Sequence, residues 1–127
     1  NCYSLAEAII PSSVTRIDGS EFYYCYSLVK ATIPSSMTSI GNSAFYSCCS
    51  LASMVVPSTI TSIGNSAFRY CYGVGEYHIK SATPPTLGSQ VFSGIESDCK
   101  IYVPASSLND YKTATGWSEY ASYMVGE

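Results

Sequence analysis

The chain has 127 residues, enough for one domain and too few for two of ordinary size. Hydrophobic residues make up 46% of it and charged residues only 12%, so it can bury a core while its surface must be built mostly from Ser, Thr, Asn and Tyr. Six Lys and Arg against nine Asp and Glu leave a net charge of −3, which excludes the basic footprint of nucleic-acid or anionic-membrane binding.

Read in chain order, one 23-residue unit returns again and again. Pro11, Pro34 and Pro57 are 23 apart, as are Ile17, Ile40 and Ile63, then Phe22, Phe45 and Phe68. Cys2, Cys25, Cys48 and Cys71 keep the same step, with Leu5, Leu28, Leu51 and Val74 three residues behind them. Residues 26–48 and 49–71 are identical at 13 of 23 positions. A fourth unit carries one inserted residue: Leu87 and Phe92 fall 24 after Ile63 and Phe68, Lys80 stands where a proline is expected, and Ile95 replaces the cysteine. A fixed period of this length indicates a repeat solenoid.

Each unit opens with a short strand. In Leu28 to Pro34 the apolar residues 28, 31 and 33 have L-x-x-L-x-L spacing, and 31 and 33 alternate with polar 30 and 32. The equivalent segments 8–10, 31–33, 54–56, 77–79 and 101–103 are expected to stack in parallel at about 4.8 Å per rung, each stopped by a proline or its substitute. A return path follows in which Met37 and Ile40, or Ile60 and Ile63, point inward. Gly41-Asn42-Ser43-Ala44-Phe45 and its copy at 64–68 then read as a turn, an Asn helix cap and about one helical turn. The predicted fold class is a leucine-rich-repeat solenoid, a right-handed superhelix that is mainly β with short helical turns. One parallel sheet of about five strands and a C-terminal helical cap complete it.

The pattern I-P-x-x-[VIM]-T-x-I-G-x-x-A-F-x-x-C-x-x-L, from Ile33 through Leu51 and again from Val56 through Val74, resembles the BspA-like leucine-rich repeats of bacterial surface proteins. The first unit departs from it at Asp18-Gly19 and Glu21, and the fourth has lost the Cys and the Gly-Asn-x-Ala signature. The resemblance implies a secreted or cell-surface protein of host-associated bacteria. Its implied role is adhesion to host matrix proteins, host cells or other bacteria, with no cofactor.

Residues 1–104 are expected to form the solenoid and 105–127 a cap over its last rung. Ser106 or Ser107 is placed to cap a helix running to about Lys112, with Trp117, Tyr120, Ala121 and Met124 on a second helical face. Trp117 reads as an anchor of the cap rather than a ligand stacker. The chain starts in mid-repeat at Asn1-Cys2, so it is expected to be the C-terminal part of a longer array whose open first rung favours end-to-end association.

Chemistry is sparse. The four in-register cysteines are expected to be a column of free, buried thiols, because Cβ atoms stacked side by side cannot reach disulfide geometry without strain. Cys49 and Cys99 fall outside that column. No metal site is expected: Cys48-Cys49 is vicinal and His78, the sole histidine, sits at an outward strand position. Glu7 and Glu76 are three rungs apart, about 14 Å, beyond the roughly 5 to 9.5 Å of glycosidase carboxylate pairs. No catalytic residues and no cofactor are predicted.

Recognition is therefore the expected role, on two outward columns of the strand face: Glu7, Lys30, Ser53, Glu76, Lys100 and Ile9, Thr32, Val55, His78, Tyr102. Candidate ligand-binding residues are Lys30, Thr32, Val55, Glu76, His78, Lys100 and Tyr102, for an extracellular protein or host-cell surface ligand. The tyrosines that flank the cysteine column, Tyr3, Tyr26 and Tyr72 foremost, either cover the seams between rungs or offer amphipathic contact area. Two other roles remain open at this stage: a stalk or spacer that presents another domain, and a glycan-binding module built on those tyrosines. Nucleic-acid binding and membrane insertion by this segment are not expected.

Overall fold

The computed structural model describes residues 3–127. Cys2, the first of the expected cysteine column, lies outside the described residues.

Alternation of inward apolar and outward polar residues produces the strand face. Strands β1 (Glu7–Ile9), β3 (Lys30–Thr32), β5 (Ser53–Val56), β7 (Glu76–Ile79) and β9 (Lys100–Val103) follow one another in space as in sequence. Ala8, Met54, Tyr77 and Ile101 are buried at equivalent positions while Glu7, Lys30, Ser53, Glu76 and Lys100 face solvent. All pairings are parallel, and β5 pairs with β7 as Ser53 opposite Glu76 through Val56 opposite Ile79. The strands form two ladders rather than one sheet: β1 with β3, and β5, β7, β9 with a further strand.

A second parallel sheet was not foreseen. The return path contains β2 (Arg16–Ile17), β4 (Ser39–Ile40), β6 (Ser62–Ile63) and β8 (Thr86–Leu87), joined in that order. Its isoleucines are buried, and its backbone amides and carbonyls, which would otherwise be unpaired beside the core, bond to the same dipeptide one rung away.

The expected helical turn after each Gly-Asn is also absent, and the asparagine caps no helix. Ser43 N–H donates to Asn65 O, Phe45 N–H to Ala67 O and Ser47 N–H to Arg69 O, all at 2.8 Å, so these amides are spent on the next rung. Left-handed residues four apart, Ser43 (φ 56°) with Ser47 (φ 58°) and Ser66 (φ 58°) with Tyr70 (φ 61°), bend the chain so that this is possible. Asn42 Oδ1 accepts the Asn65 N–H and Asn65 Oδ1 the Ser89 N–H, both at 2.8 Å, forming an asparagine ladder. Glycine is required beside it. A Cβ on Gly64 would lie 2.5 Å from Asn42 Oδ1 and 2.6 Å from Asn42 N.

Side chains from all three sides meet in one core. Phe22, Phe45, Phe68 and Phe92 form a stack with centroids 5.1, 5.5 and 5.8 Å apart and ring planes within 7°. Beside it Cys48 Sγ donates to Phe22 O and Cys71 Sγ to Phe45 O, each at 3.0 Å, so these two thiols tie their rungs to the phenylalanine of the one before. Burial pushes the Cys48 thiol up and carries Cys71 to about 12 and Cys99 to about 11. Cys99, whose exposure the sequence left open, is buried, whereas Cys49 is half-buried. We expect a maleimide to label Cys49 alone among the five described cysteines of native protein, and nearly all six in denaturant. A denatured count near zero would refute free thiols.

The last rung is irregular because the inserted residue falls between Ile79 and Thr86, and the C-terminal segment docks there. A 3-10 turn (Ala105–Ser107) leads into α1 (Leu108–Thr113), then a 3-10 helix (Ser118–Tyr123) and β10 (Met124–Gly126). Ser107 does not cap α1 with its side chain, as had been expected. Its hydroxyl donates instead to Ala82 O at 2.6 Å. Tyr111 OH donates to Ser81 O (2.6 Å) and Trp117 Nε1 to Pro85 O (2.8 Å), so the carbonyls of Ser81, Ala82 and Pro85 find their donors in this segment. Met124, expected on a helical face, lies in β10 and pairs with Ile101 of β9.

Candidate functional site

The strand face carries two adjacent columns. One alternates in sign, with Glu7 opposite Lys30 and, beyond Ser53, Glu76 opposite Lys100. The other is largely apolar: Ile9 is opposite Thr32, and Val55, His78, Tyr102 and Val125 follow in register. Ile9 is 79% exposed and Val55 48%, unusual for aliphatic side chains on a surface so short of charge.

His78 is the most constrained group on this face. Its ring stacks on Tyr102 at 4.8 Å and 9°. Nδ1 lies 3.0 Å from Glu127 Oε1 and Nε2 3.5 Å from Glu76 Oε2, and Lys80 Nζ reaches the second Glu127 oxygen at 3.4 Å. The hydrogen bond with His78 holds the Glu127 carboxyl below the usual carboxylate range. Val55, Glu76, His78, Lys100 and Tyr102 thus form one group. Lys30 and Thr32 belong to the β1–β3 ladder, which no strand pairing joins to β5. Val125, Glu127 and Lys80 were missed by sequence reading, because β10 brings its residues alongside β9 only after the chain has passed through α1 and the 3-10 helix.

Trp117 is fully buried, between Tyr111 (5.0 Å) and Phe92 (5.8 Å), and offers no ring face to a ligand. The surface tyrosines form a seam on another side. Tyr3 stacks on Tyr26 at 5.8 Å, Tyr26 on Tyr24 at 5.5 Å and Tyr72 on Tyr70 at 5.7 Å, while Tyr46 meets both Tyr24 and Tyr70 edge-on. Much of their ring surface is therefore spent on one another, and they do cover the junctions between rungs.

Among the described residues, the candidate nucleophiles and the imidazole are each engaged elsewhere. The imidazole is enclosed by carboxylates and a phenol ring, and Cys48 and Cys71 donate to backbone carbonyls inside the core. Among the described residues no three His, Cys, Asp or Glu side chains gather as a metal site, and no helix is long and apolar enough to cross a membrane.

The family model for the BspA type leucine rich repeat region fits residues 1–114 in six copies. The chain belongs to the BspA-type leucine-rich repeat family. A leucine-rich repeat protein from Bacteroides ovatus ATCC 8483 has the same fold, with a TM-score of 0.75 and 26% identity, over 100% of this chain and 31% of that one. The chain spans about a third of the length of that relative. No curated protein matches it. As a BspA-type leucine-rich repeat solenoid the chain is a protein-interaction or structural module, and the family is usually surface-associated.

Proposed function

We propose that this chain is a non-catalytic recognition module that binds an extracellular protein through its strand face. We place it on the surface of a bacterial cell or among that cell's secreted proteins, where adhesion to host matrix proteins or host cells is the role it fits. The reading rests on the two exposed columns of the strand face: an apolar stripe through Val55, His78, Tyr102 and Val125 beside a column of alternating charge. Backbone ladders hold the β1–β3 and the β5–β10 parts of these columns, so little loop ordering remains to oppose association. Lys30, Thr32, Val55, Glu76, His78, Lys100 and Tyr102 are the contact residues. Residues 105–127 we assign to a cap that closes the array of residues 1–104 and lengthens this face by one strand.

The test is binding of the chain to an array of host matrix proteins and glycans, beside the variant Thr32→Glu, His78→Glu, Tyr102→Glu. Thr32 is exposed, but His78 and Tyr102 are half-buried and His78→Glu sets a third carboxylate between Glu76 and Glu127, so circular dichroism must first show that the variant keeps its fold. Binding by the parent that the variant loses is the expected result. Failure of the parent to bind any of them would replace recognition with the role of a stalk or spacer.

A further inference from the structure

The tyrosine seam has one gap. Tyr3, Tyr26, Cys49 and Tyr72 occupy the same place in successive rungs. Their register is fixed next door, where Ser27 Oγ donates to Tyr3 O and Ser50 Oγ to Tyr26 O, and where a Cβ on Gly73 would collide with Cys49 O. Tyr26 has two stacking partners, Tyr24 at 5.5 Å and Tyr3 at 5.8 Å. Tyr72 repeats the first with Tyr70 at 5.7 Å, but the position of the second ring belongs to Cys49. The thiol turns toward the carbonyls of Ser47 (3.5 Å) and Tyr70 (3.3 Å) and does not fill it. Tyr72 is left 48% exposed and Tyr26 44%.

We propose that the gap over Cys49 binds one pyranose ring of a neutral glycan, its C–H face against Tyr72 and its other side toward Tyr26. Tyr26 and Tyr72 are two rungs apart, roughly 9.6 Å at the strand spacing, so a ring centred between them lies about 4.8 Å from each, within stacking range. The seam suits an uncharged ligand. Arg69 is already committed: its guanidinium bonds to Gln90 Oε1 (2.7 Å) and Tyr70 OH (2.8 Å) and lies over the Tyr70 ring. A pyranose presents an apolar C–H face that can lie against the exposed Tyr72 ring, with its girdle of hydroxyls left in water at this open seam. An aromatic side chain of a protein partner would fill the same space, and competition with N-acetyltryptophanamide distinguishes the two. This site lies apart from the strand face and does not depend on the reading given to that face.

Cys49 supplies the probe, as the half-buried thiol beneath the gap. The rate at which a maleimide labels Cys49 in the native chain should fall, saturably, as methyl glycosides of glucose, galactose, mannose or N-acetylglucosamine, or their short oligomers, are added. Tyr72→Ala should weaken that protection about tenfold. Cys49→Tyr places in this rung the ring that the first two rungs carry, so it should fold and melt normally yet show no saccharide binding by ligand-observed NMR. Three results would overturn the proposal: labelling that no saccharide slows, protection that Tyr72→Ala leaves unchanged, or saccharide binding that survives Cys49→Tyr. Protection by N-acetyltryptophanamide but not by saccharides would do the same and point to an aromatic peptide ligand.

Discussion

Phe45→Ala is expected to lower the stability of the chain by about 3 to 5 kcal/mol, the usual cost of removing a fully buried phenylalanine. Phe45 is completely enclosed and stacks on both sides, 5.1 Å from Phe22 and 5.5 Å from Phe68. In an array where each rung touches only its neighbours, stability is close to a sum of rung and interface terms, and this one side chain serves two interfaces. Phe22 is half-buried and, in the described stack, pairs only with Phe45, so Phe22→Ala should cost clearly less. Urea unfolding followed by circular dichroism measures both. An unchanged midpoint for Phe45→Ala, or equal losses for the two variants, would contradict the stack as the axis of the core.

That stack was legible in the sequence because a 23-residue step places identical side chains above one another, so a phenylalanine that turns inward in one rung turns inward in the next. The outward strand columns were legible for the same reason, since alternation around Ala8, Met54, Tyr77 and Ile101 leaves only two choices of face. Other features were hidden by physical ambiguity. Ser39-Ile40 and Ser62-Ile63 are strands of two residues, too short for any periodic signal, and only the pairing of one rung with the next makes them a sheet. An asparagine after a glycine suits both a helix cap and an inter-rung ladder. Left-handed Ser43 and Ser47 decide between them, and serine does not announce that conformation. In the C-terminal segment Trp117, Tyr120, Ala121 and Met124 have helical spacing, yet Met124 begins a strand. The contact between His78 and Glu127 follows from that strand and joins residues 49 apart in sequence, beyond the reach of a 23-residue period.

Trp117→Ala should be at least as costly, again about 3 to 5 kcal/mol, and its consequences should reach the solution behaviour of the chain. The indole is completely buried against Phe92 and Tyr111, and it is the donor that satisfies the Pro85 carbonyl at 2.8 Å. Truncation opens a cavity and strands that carbonyl, two penalties of different origin. Trp117→Phe separates them: it keeps most of the ring and loses only the N–H, so it should cost about 1 to 3 kcal/mol. Because α1, the 3-10 helix and β10 are all pinned around Trp117, the alanine variant should release them before the repeats melt. The last rung would then be bare, its Phe92 and Leu87 open to solvent and the β9 edge unpaired, and such an edge promotes association. Hydrogen exchange should show loss of protection confined to residues beyond Lys100, and light scattering should show concentration-dependent growth. A Trp117→Ala chain that stays monomeric and loses protection evenly along its length would show that this segment is merely one more part of a cooperative core, not the cover of its end.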